Sequence, residues 1–157
     1  MSHSKHWIID GANVLHAWPD LRQRALRDRA GARAELVRRM ISIHDSGEVR
    51  VTLVFDGRGT EMVVERPFEQ TTFSVVYTPS SLTADDAIEQ LVANSSDPTA
   101  CCVVTDDQAE RETVSALGAA VFRTADLAVM IEQAVNRQNV RVQQRQQENN
   151  QNWKGRG

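Results

Sequence analysis

The chain lacks the sequence features of membrane and exported proteins. No apolar run approaches the length of a membrane-spanning helix. Residues 1–6 are polar and the next apolar stretch covers only residues 7–9, which is not the pattern of a signal peptide. We therefore expect a cytoplasmic protein with no membrane partner. The two cysteines, Cys101 and Cys102, are adjacent in a strand-like run, and because neighbouring strand residues point to opposite faces, we expect no disulfide between them.

The sequence motifs of several enzyme classes are also missing. Neither GxGxxG nor GxxxxGK(S/T) occurs, which argues against a dinucleotide-binding fingerprint and a P-loop. No Ser-His-Asp or Cys-His pattern indicates a nucleophilic site. His16 lies shortly after a predicted turn at residues 10–13, but we expect surface or core roles for the histidines.

What is present indicates one globular domain followed by a polar tail. The chain has 157 residues, of which 41% are hydrophobic and 25% are charged, as is ordinary for a folded domain. We assign the domain to residues 1–142. Residues 143–157 are rich in Gln and Asn and lack the apolar surface to fold alone, so we expect a flexible tail.

Apolar runs alternate with helical patterns along the domain. This alternation is typical of an α/β sandwich with a mainly parallel sheet, here of about five strands. Leu26, Ala30, Ala34, Val37 and Ile41 recur at helical spacing, so they predict the buried face of a long first helix. The predicted strands cover residues 8–9, 49–55, 72–77, 101–105 and 119–122, the helices cover 21–44, 84–93, 110–117 and 124–135, and residues 57–71 are an irregular loop.

Acidic residues stand where the predicted strands end and where one helix begins. The carboxyl ends of parallel strands meet at one edge of the sheet, where α/β proteins bind ligands. Carboxylates that meet there repel each other unless they share protons or bind a cation. Oxygen ligands favour a hard ion such as Mg²⁺ or Mn²⁺. The acids are Asp10, Asp56, Asp106 and Asp107 after strands, and Asp85 and Asp86 at the helix start.

Four short segments of the chain resemble the motifs of a known family. They are Ile8–Leu15 (IIDGANVL), Val54–Gly57 (VFDG), Thr83–Glu89 (TADDAIE) and Val103–Asp107 (VVTDD). Their order and spacing resemble the NYN domains, nucleases of the PIN-like group, and within them the YacP-like NYN proteins. The resemblance covers about residues 7–135.

The resemblance implies a PIN-like three-layer sandwich and a metal-dependent ribonuclease. By position, Asp10 matches the first-strand metal ligand, Asn13 the polar residue three positions later, Asp85 the acid at the helix start, and Asp107 the acid after the fourth strand. These four are the expected catalytic residues, and the three acids are the expected ligands for Mg²⁺ or Mn²⁺. Asp86 adjoins Asp85 and Asp106 adjoins Asp107, so the resemblance does not decide which acid of each pair binds the metal. Asp86, Asp106 and Asp56 are therefore further candidate ligands.

Positive charge is concentrated in two segments. Residues 22–39 hold seven arginines and two acids, and residues 137–157 hold five basic residues and one acid. A basic helix beside an acidic metal site suits a polyanionic substrate, so we expect Arg22, Arg29 and Arg33 to contact RNA phosphates. The alternative is an arginine-rich helix face that is merely solvated.

Two functional hypotheses from different classes follow. The leading one is an endoribonuclease that hydrolyses RNA phosphodiester bonds with Mg²⁺ or Mn²⁺ held by acids. The alternative is an RNA- or ribosome-binding module of the same fold with little or no catalysis. A metal-dependent phosphatase is a more distant third, since Gly11 and Ala12 stand where an Asp-x-Asp motif would need its second acid.

Overall fold

The computed structural model describes residues 4–154, in which six strands and six α-helices alternate for most of the chain. The strands are β1 (Lys5–Asp10), β2 (Val49–Asp56), β3 (Val63–Glu65), β4 (Phe73–Thr78), β5 (Cys101–Val104) and β6 (Ala120–Phe122). The helices are α1 (Gly11–Ala17), α2 (Pro19–Arg27), α3 (Arg29–Asp45), α4 (Ala84–Ala93), α5 (Gln108–Ala116) and α6 (Thr124–Lys154), with a short 3-10 helix at Pro98–Ala100.

The strands form one sheet in the order β3-β4-β2-β1-β5-β6. All pairs are parallel except β3 with β4. Side chains alternate between the faces, so Ile9 packs toward α1, α2, α3 and α6 while Ile8 packs toward α4 and α5. The prediction of an α/β three-layer sandwich with a mainly parallel sheet is confirmed, with six strands in place of about five.

The additional strand lies in residues 57–71, for which the prediction of an irregular loop was wrong. β3 has only three residues, and all of them are exposed. A strand without a buried face shows no alternation of apolar and polar residues, so the pattern could not reveal it.

The first helical region also differs from the prediction, because the single helix predicted for residues 21–44 is broken at Asp28. The backbone of Asp28 leaves the helical region, and its carboxylate accepts a hydrogen bond of 2.9 Å from the Gly31 amide, which caps α3. A Cβ at position 31 would collide with this carboxylate, so Gly31 permits the cap. The predicted buried face was also wrong, because Leu26 is 85% exposed and α3 packs on the core through Ala32, Leu36, Met40 and Ile43.

The predicted turn at residues 10–13 is the first turn of a helix. Asp10 caps α1, which starts at Gly11 directly after β1. The Phe55 ring lies where a Cβ of residue 11 would be, so only glycine fits there. The short connection holds α1 against the carboxyl end of the sheet.

The last helix is much longer than predicted. Leu127, Ile131 and Ala134 of α6 pack on the core, whereas most residues after Ala134 are exposed. The Gln/Asn-rich tail is helical as far as Lys154, and residues 155–157 lie outside the described residues. The division at residue 142 and the flexibility of the tail stay predictions. None of the helices in residues 4–154 combines the length and apolar character needed to cross a membrane.

Candidate active site

Three acids meet at the carboxyl edge of the sheet. Asp10 ends β1, Asp85 lies in the first turn of α4, and Glu110 lies in the first turn of α5. One oxygen from each can be chosen so that all three lie within 4.8 Å of one another. Asp10 and Glu110 are each only 2% exposed, and Asp85 is half-buried. We call these residues the three-acid cluster.

Asp10 is fixed by its own helix start. Its carboxylate accepts hydrogen bonds from the backbone amide of Asn13 at 3.3 Å and from the Asn13 side-chain amide at 3.0 Å. Burial raises the pKa of Asp10 above its ordinary value, and the nearby charge of Asp85 acts in the same direction, while hydrogen bonding from Glu110 and Asn13 opposes it. Asp10 is therefore a buried acid whose negative charge needs a compensating positive one.

Glu110 has one satisfied oxygen and one unsatisfied oxygen. The Thr105 hydroxyl donates to Oε2 at 2.8 Å, whereas Oε1 is buried without a hydrogen-bond partner in the described part of the chain. Burial, and then the charge of Asp10, raise the pKa of Glu110 to about 9. Burial and the charge of Asp10 therefore both disfavour the ionised form of Glu110 as long as no cation is bound.

The donor set of the cluster fits a hard divalent cation. Its ligands are carboxylate oxygens, which Mg²⁺ and Mn²⁺ prefer. The unpartnered Oε1 of Glu110 would gain a partner, and an ion would relieve the repulsion between Asp10 and its two acidic neighbours. The cluster is therefore a candidate metal centre.

Asn13 and Asp107, two of the predicted catalytic residues, lie next to the cluster. The Asn13 side chain donates to Asp10 and accepts a hydrogen bond of 3.1 Å from the Asp106 amide, so it joins β1 to the loop after β5. The Asp107 carboxylate accepts from the Glu110 amide at 3.0 Å and caps α5. Asp107 itself is exposed, and the acid that this loop and helix bring into the cluster is Glu110.

The structure does not bring the other predicted acids into the cluster. Asp106 accepts hydrogen bonds from the backbone amide and the hydroxyl of Thr124, at 2.9 and 2.7 Å, so it holds the start of α6. Asp56 accepts from the Ala84 amide at 2.9 Å and holds the start of α4. Asp86 is exposed in the first turn of that helix. Their roles as metal ligands stay predictions.

Sequence reasoning missed Glu110. The predicted ligands directly follow a strand or begin the helix at residue 84, and Glu110, although it begins the helix predicted for residues 110–117, was not among them. A signal was available, because Glu110 and Val114 stand four residues apart and are the two buried residues of α5. An acid that shares the buried stripe of a helix with an apolar residue is a candidate ligand, since buried carboxylates need partners.

The three predicted RNA-binding arginines lie together. Arg22, Arg29 and Arg33 line one cavity of about 360 Å³. The guanidinium carbon of Arg33 lies 5.7 Å from the ring centroids of both Phe55 and Tyr77, which is cation–π distance. The cavity and the three-acid cluster both involve the start of α1, since Ala12 lines the cavity and Asp10 caps that helix.

This combination defines a PIN-like, nuclease-type α/β domain. The sequence model of the YacP-like NYN domain matches residues 7–156, and the chain belongs to that family. The family is RNA-associated, and membership indicates a nuclease-like, RNA-related function. The resemblance found in the sequence motifs is confirmed.

Similar proteins come from Bacillus subtilis. The chain is 29% identical over 113 residues to "Uncharacterized protein YacP" of strain 168, an alignment that covers 71% of this chain and 66%, just under two thirds, of YacP. The crystal structure of Rae1 (YacP) is 27% identical and superimposes with a TM-score of 0.74 over 89% of this chain and 80% of that chain. A mutant form of Rae1 (YacP) is 26% identical, with a TM-score of 0.74 over 89% and 82% of the two chains.

Proposed function

We propose that the chain is an endoribonuclease that hydrolyses RNA phosphodiester bonds and depends on Mg²⁺ or Mn²⁺. The observation that carries this proposal is the three-acid cluster, whose oxygens converge within 4.8 Å at the ligand-binding edge of the sheet. Family membership supports RNA as the substrate class.

Asp10, Asp85 and Glu110 would hold the ion. When bound, such an ion lowers the pKa of a water molecule and stabilises charge on phosphate oxygens. Asn13 orients the Asp10 carboxylate through two hydrogen bonds, and Thr105 orients Glu110 through one. Both orientations are set by the fold, so the ligands need little rearrangement.

The predicted acids outside the cluster would act as positioning residues. Asp107 caps the helix that carries Glu110. Asp56 binds the amide of Ala84, the residue before Asp85. Asp106 joins the start of α6 to the loop that Asn13 also contacts. Loss of any of these carboxylates should misplace a helix start rather than remove an ion ligand.

The alternative is an RNA- or ribosome-binding module without efficient cleavage. It would use the same arginines and the same fold. The two functions differ in whether the three-acid cluster takes part in RNA cleavage. A binding module does not require three buried or half-buried acids whose oxygens lie within 4.8 Å of one another.

A cleavage assay on circular single-stranded RNA tests the proposal. Only an endonuclease can open a circle, so the assay also excludes trimming from an end. We expect opening with Mn²⁺ or Mg²⁺, loss of opening with EDTA, and a decrease of at least about a hundredfold in Asp10→Asn and Glu110→Gln.

Glu112→Gln is the matched control, because Glu112 is an exposed glutamate on the same helix as Glu110. It should cleave like the wild type. A wild-type protein that binds the circle but never opens it would support the binding module. Full activity in Glu110→Gln would show that the cluster is not the catalytic centre.

A further inference from the structure

A cavity of about 360 Å³ opens between α1, α2, α3 and the end of β2. Its lining includes residues of both α2 and α3, on either side of the break at Asp28. Ligand pockets for small molecules begin at about 300 Å³. The cavity therefore has room for one nucleotide and is too small for a duplex.

The lining of the cavity carries positive charge. Arg22, Arg29 and Arg33 line it, against the single carboxylate of Asp56. Among the side chains that the structure describes, those of residues 4–153, no acid lies within salt-bridge distance of these three arginines, whereas Arg38 and Arg39 are both paired. The guanidinium groups of the cavity therefore keep their donors for an anion from outside.

Arg33 is held without the help of a carboxylate. Its guanidinium lies over both the Phe55 and Tyr77 rings, whose centroids are 5.8 Å apart in a stacked arrangement. Aromatic faces restrict the guanidinium while leaving its edge donors unused. An arginine fixed in this way loses little conformational entropy when it binds a phosphate.

The cavity also has apolar lining. Leu15 and Phe55 line it and are themselves buried, whereas Leu26, which also lines it, is 85% exposed. A leucine so exposed does not contribute to the core. A lining that combines guanidinium groups with an exposed apolar side chain matches the two parts of a nucleotide, its phosphate and its base.

The cavity adjoins the three-acid cluster. Ala12 lines the cavity and is two residues from Asp10. Asp56 also lines it and accepts the amide hydrogen of Ala84, the residue before Asp85. A strand whose scissile phosphate lies at the cluster would therefore place a neighbouring nucleotide at the cavity.

We infer that this cavity is a subsite for one unpaired nucleotide next to the scissile phosphate, an inference that rests on the proposed nuclease function. The arginines bind the phosphate of this nucleotide, and the exposed Leu26 contacts its base. A base-paired nucleotide cannot enter, because its partner strand would accompany it.

Titrations of the metal-free full-length protein with small probes test the inference. The probes are AMP, ribose 5-phosphate and inorganic phosphate, added in EDTA and followed by NMR chemical shifts. We expect AMP to bind at least about tenfold more tightly than ribose 5-phosphate, because the base adds apolar contact. Shifts should concentrate on α1, α2 and the start of α3.

Two substitutions separate the charged lining from the apolar lining. Leu26→Ala should weaken the binding of AMP about fivefold and leave the affinity for ribose 5-phosphate unchanged, since it removes only apolar contact. Arg29→Gln should weaken the binding of both ligands. Arg27→Gln is the control, because Arg27 is an exposed arginine of α2 that does not line the cavity. Leu26 and Arg27 are both exposed, so these two variants should fold, which their NMR spectra will show.

The possible outcomes separate this inference from the proposed function. Equal affinity for AMP and inorganic phosphate, or unchanged AMP affinity in Leu26→Ala, would overturn the subsite even if the wild type cleaves RNA. The expected pattern of affinities without any RNA cleavage would support the nucleotide subsite and count against the nuclease.

Discussion

The carboxylates of Asp10 and Glu110 lie side by side although they come from different elements of the fold. β1 supplies Asp10 and α5 supplies Glu110, and both side chains are 2% exposed. Burial raises the pKa of both acids, and the charge of Asp10 raises that of Glu110 further, because two buried negative charges so close cannot both be stable. This pair determines how the protein should respond to metal ions and to pH.

Divalent metal should stabilise the folded protein. An ion that binds only the folded state at a hundred times its Kd adds about 2.7 kcal/mol. For a chain of this size that corresponds to a rise in Tm of roughly 5–10 °C. We expect this rise with Mn²⁺ or Mg²⁺ in the wild type and a much smaller one in Asp10→Asn and Glu110→Gln, measured by thermal unfolding.

The exposed Glu112 provides the comparison for this experiment as well. Glu112→Gln removes the same charge from the same helix, so it should keep the full metal response. A wild-type melting curve that does not move at saturating metal, together with no heat of binding in calorimetry, would exclude the metal centre.

The metal-free protein should lose stability as the pH rises. The folded-state pKa of Glu110 is raised to about 9, above its ordinary value of 4.5. Its contribution is therefore fully present below pH 4.5 and is lost as the pH rises toward 9. Glu110→Gln keeps a neutral side chain at every pH, so it should exceed the wild type by roughly 2 kcal/mol at about pH 8 and match it near pH 4.5.

Urea unfolding in EDTA at several pH values between about 4.5 and 9 measures this difference. If the stability curves of wild type and Glu110→Gln run parallel over that range, Glu110 is ionised normally and the buried pair does not share a proton. Glu112→Gln should follow the wild type throughout.

His6 should make the protein sensitive to acid. Its Nε2 lies 2.7 Å from the Thr52 hydroxyl, and burial, assisted by the charge of Arg50, lowers the pKa of His6 to about 4. A folded-state pKa below the ordinary 6.5 gives stability that is present above pH 6.5 and is lost as the pH falls toward 4.

His6→Gln can keep the bond to Thr52 and cannot titrate. Between about pH 7 and pH 4 the wild type should therefore lose roughly 2 kcal/mol more than the variant, after allowance for solvent screening. Urea unfolding at the two pH values gives this number. Equal losses in both proteins would show that His6 is protonated in the folded state.

The cap of α3 offers a local test of the helix break. Asp28→Ala removes the bond to the Gly31 amide and should destabilise the protein by about 1 kcal/mol. Asp28→Asn keeps an acceptor oxygen and should lose much less. If the two variants unfold at the same urea concentration, the cap contributes nothing measurable.

The sequence predicted the sheet and its acidic edge because both follow from local pattern. An apolar run that ends in an acid is visible in residues 8–10, 51–56 and 101–107, and parallel pairing brings these ends together. The partner of Asp10 was not visible in this way. Glu110 becomes a neighbour of Asp10 only through the packing of α5, which depends on contacts distant in the chain.

The break between α2 and α3 was hidden for a different reason. Leu26, Ala30 and Ala34 continue the helical spacing across Asp28, so the apolar period gives no sign of an interruption. The turn depends on Asp28, whose carboxylate accepts a hydrogen bond from the Gly31 amide. This local signal is short and lies within a strong helical pattern. Residues on both sides of that turn, Leu26 among them, line the cavity.

The last prediction concerns the arginines of this cavity. RNA binding should be measured in EDTA with Asp10→Asn as the background, so that the strand stays intact. In that background, Arg22→Gln, Arg29→Gln and Arg33→Gln should each weaken binding several-fold at low salt. Each should also reduce the slope of log affinity against log salt by about 0.7, the value for one phosphate contact on a single strand.

The loss should be similar for RNAs of different sequence, because phosphate contacts carry no sequence information. Arg27→Gln removes the same charge from an exposed position of α2 outside the cavity, so it should change the affinity much less and leave the salt slope nearly unchanged. If all three cavity variants keep the affinity and the slope of the background protein, the arginines form a solvated surface and the RNA strand is bound elsewhere.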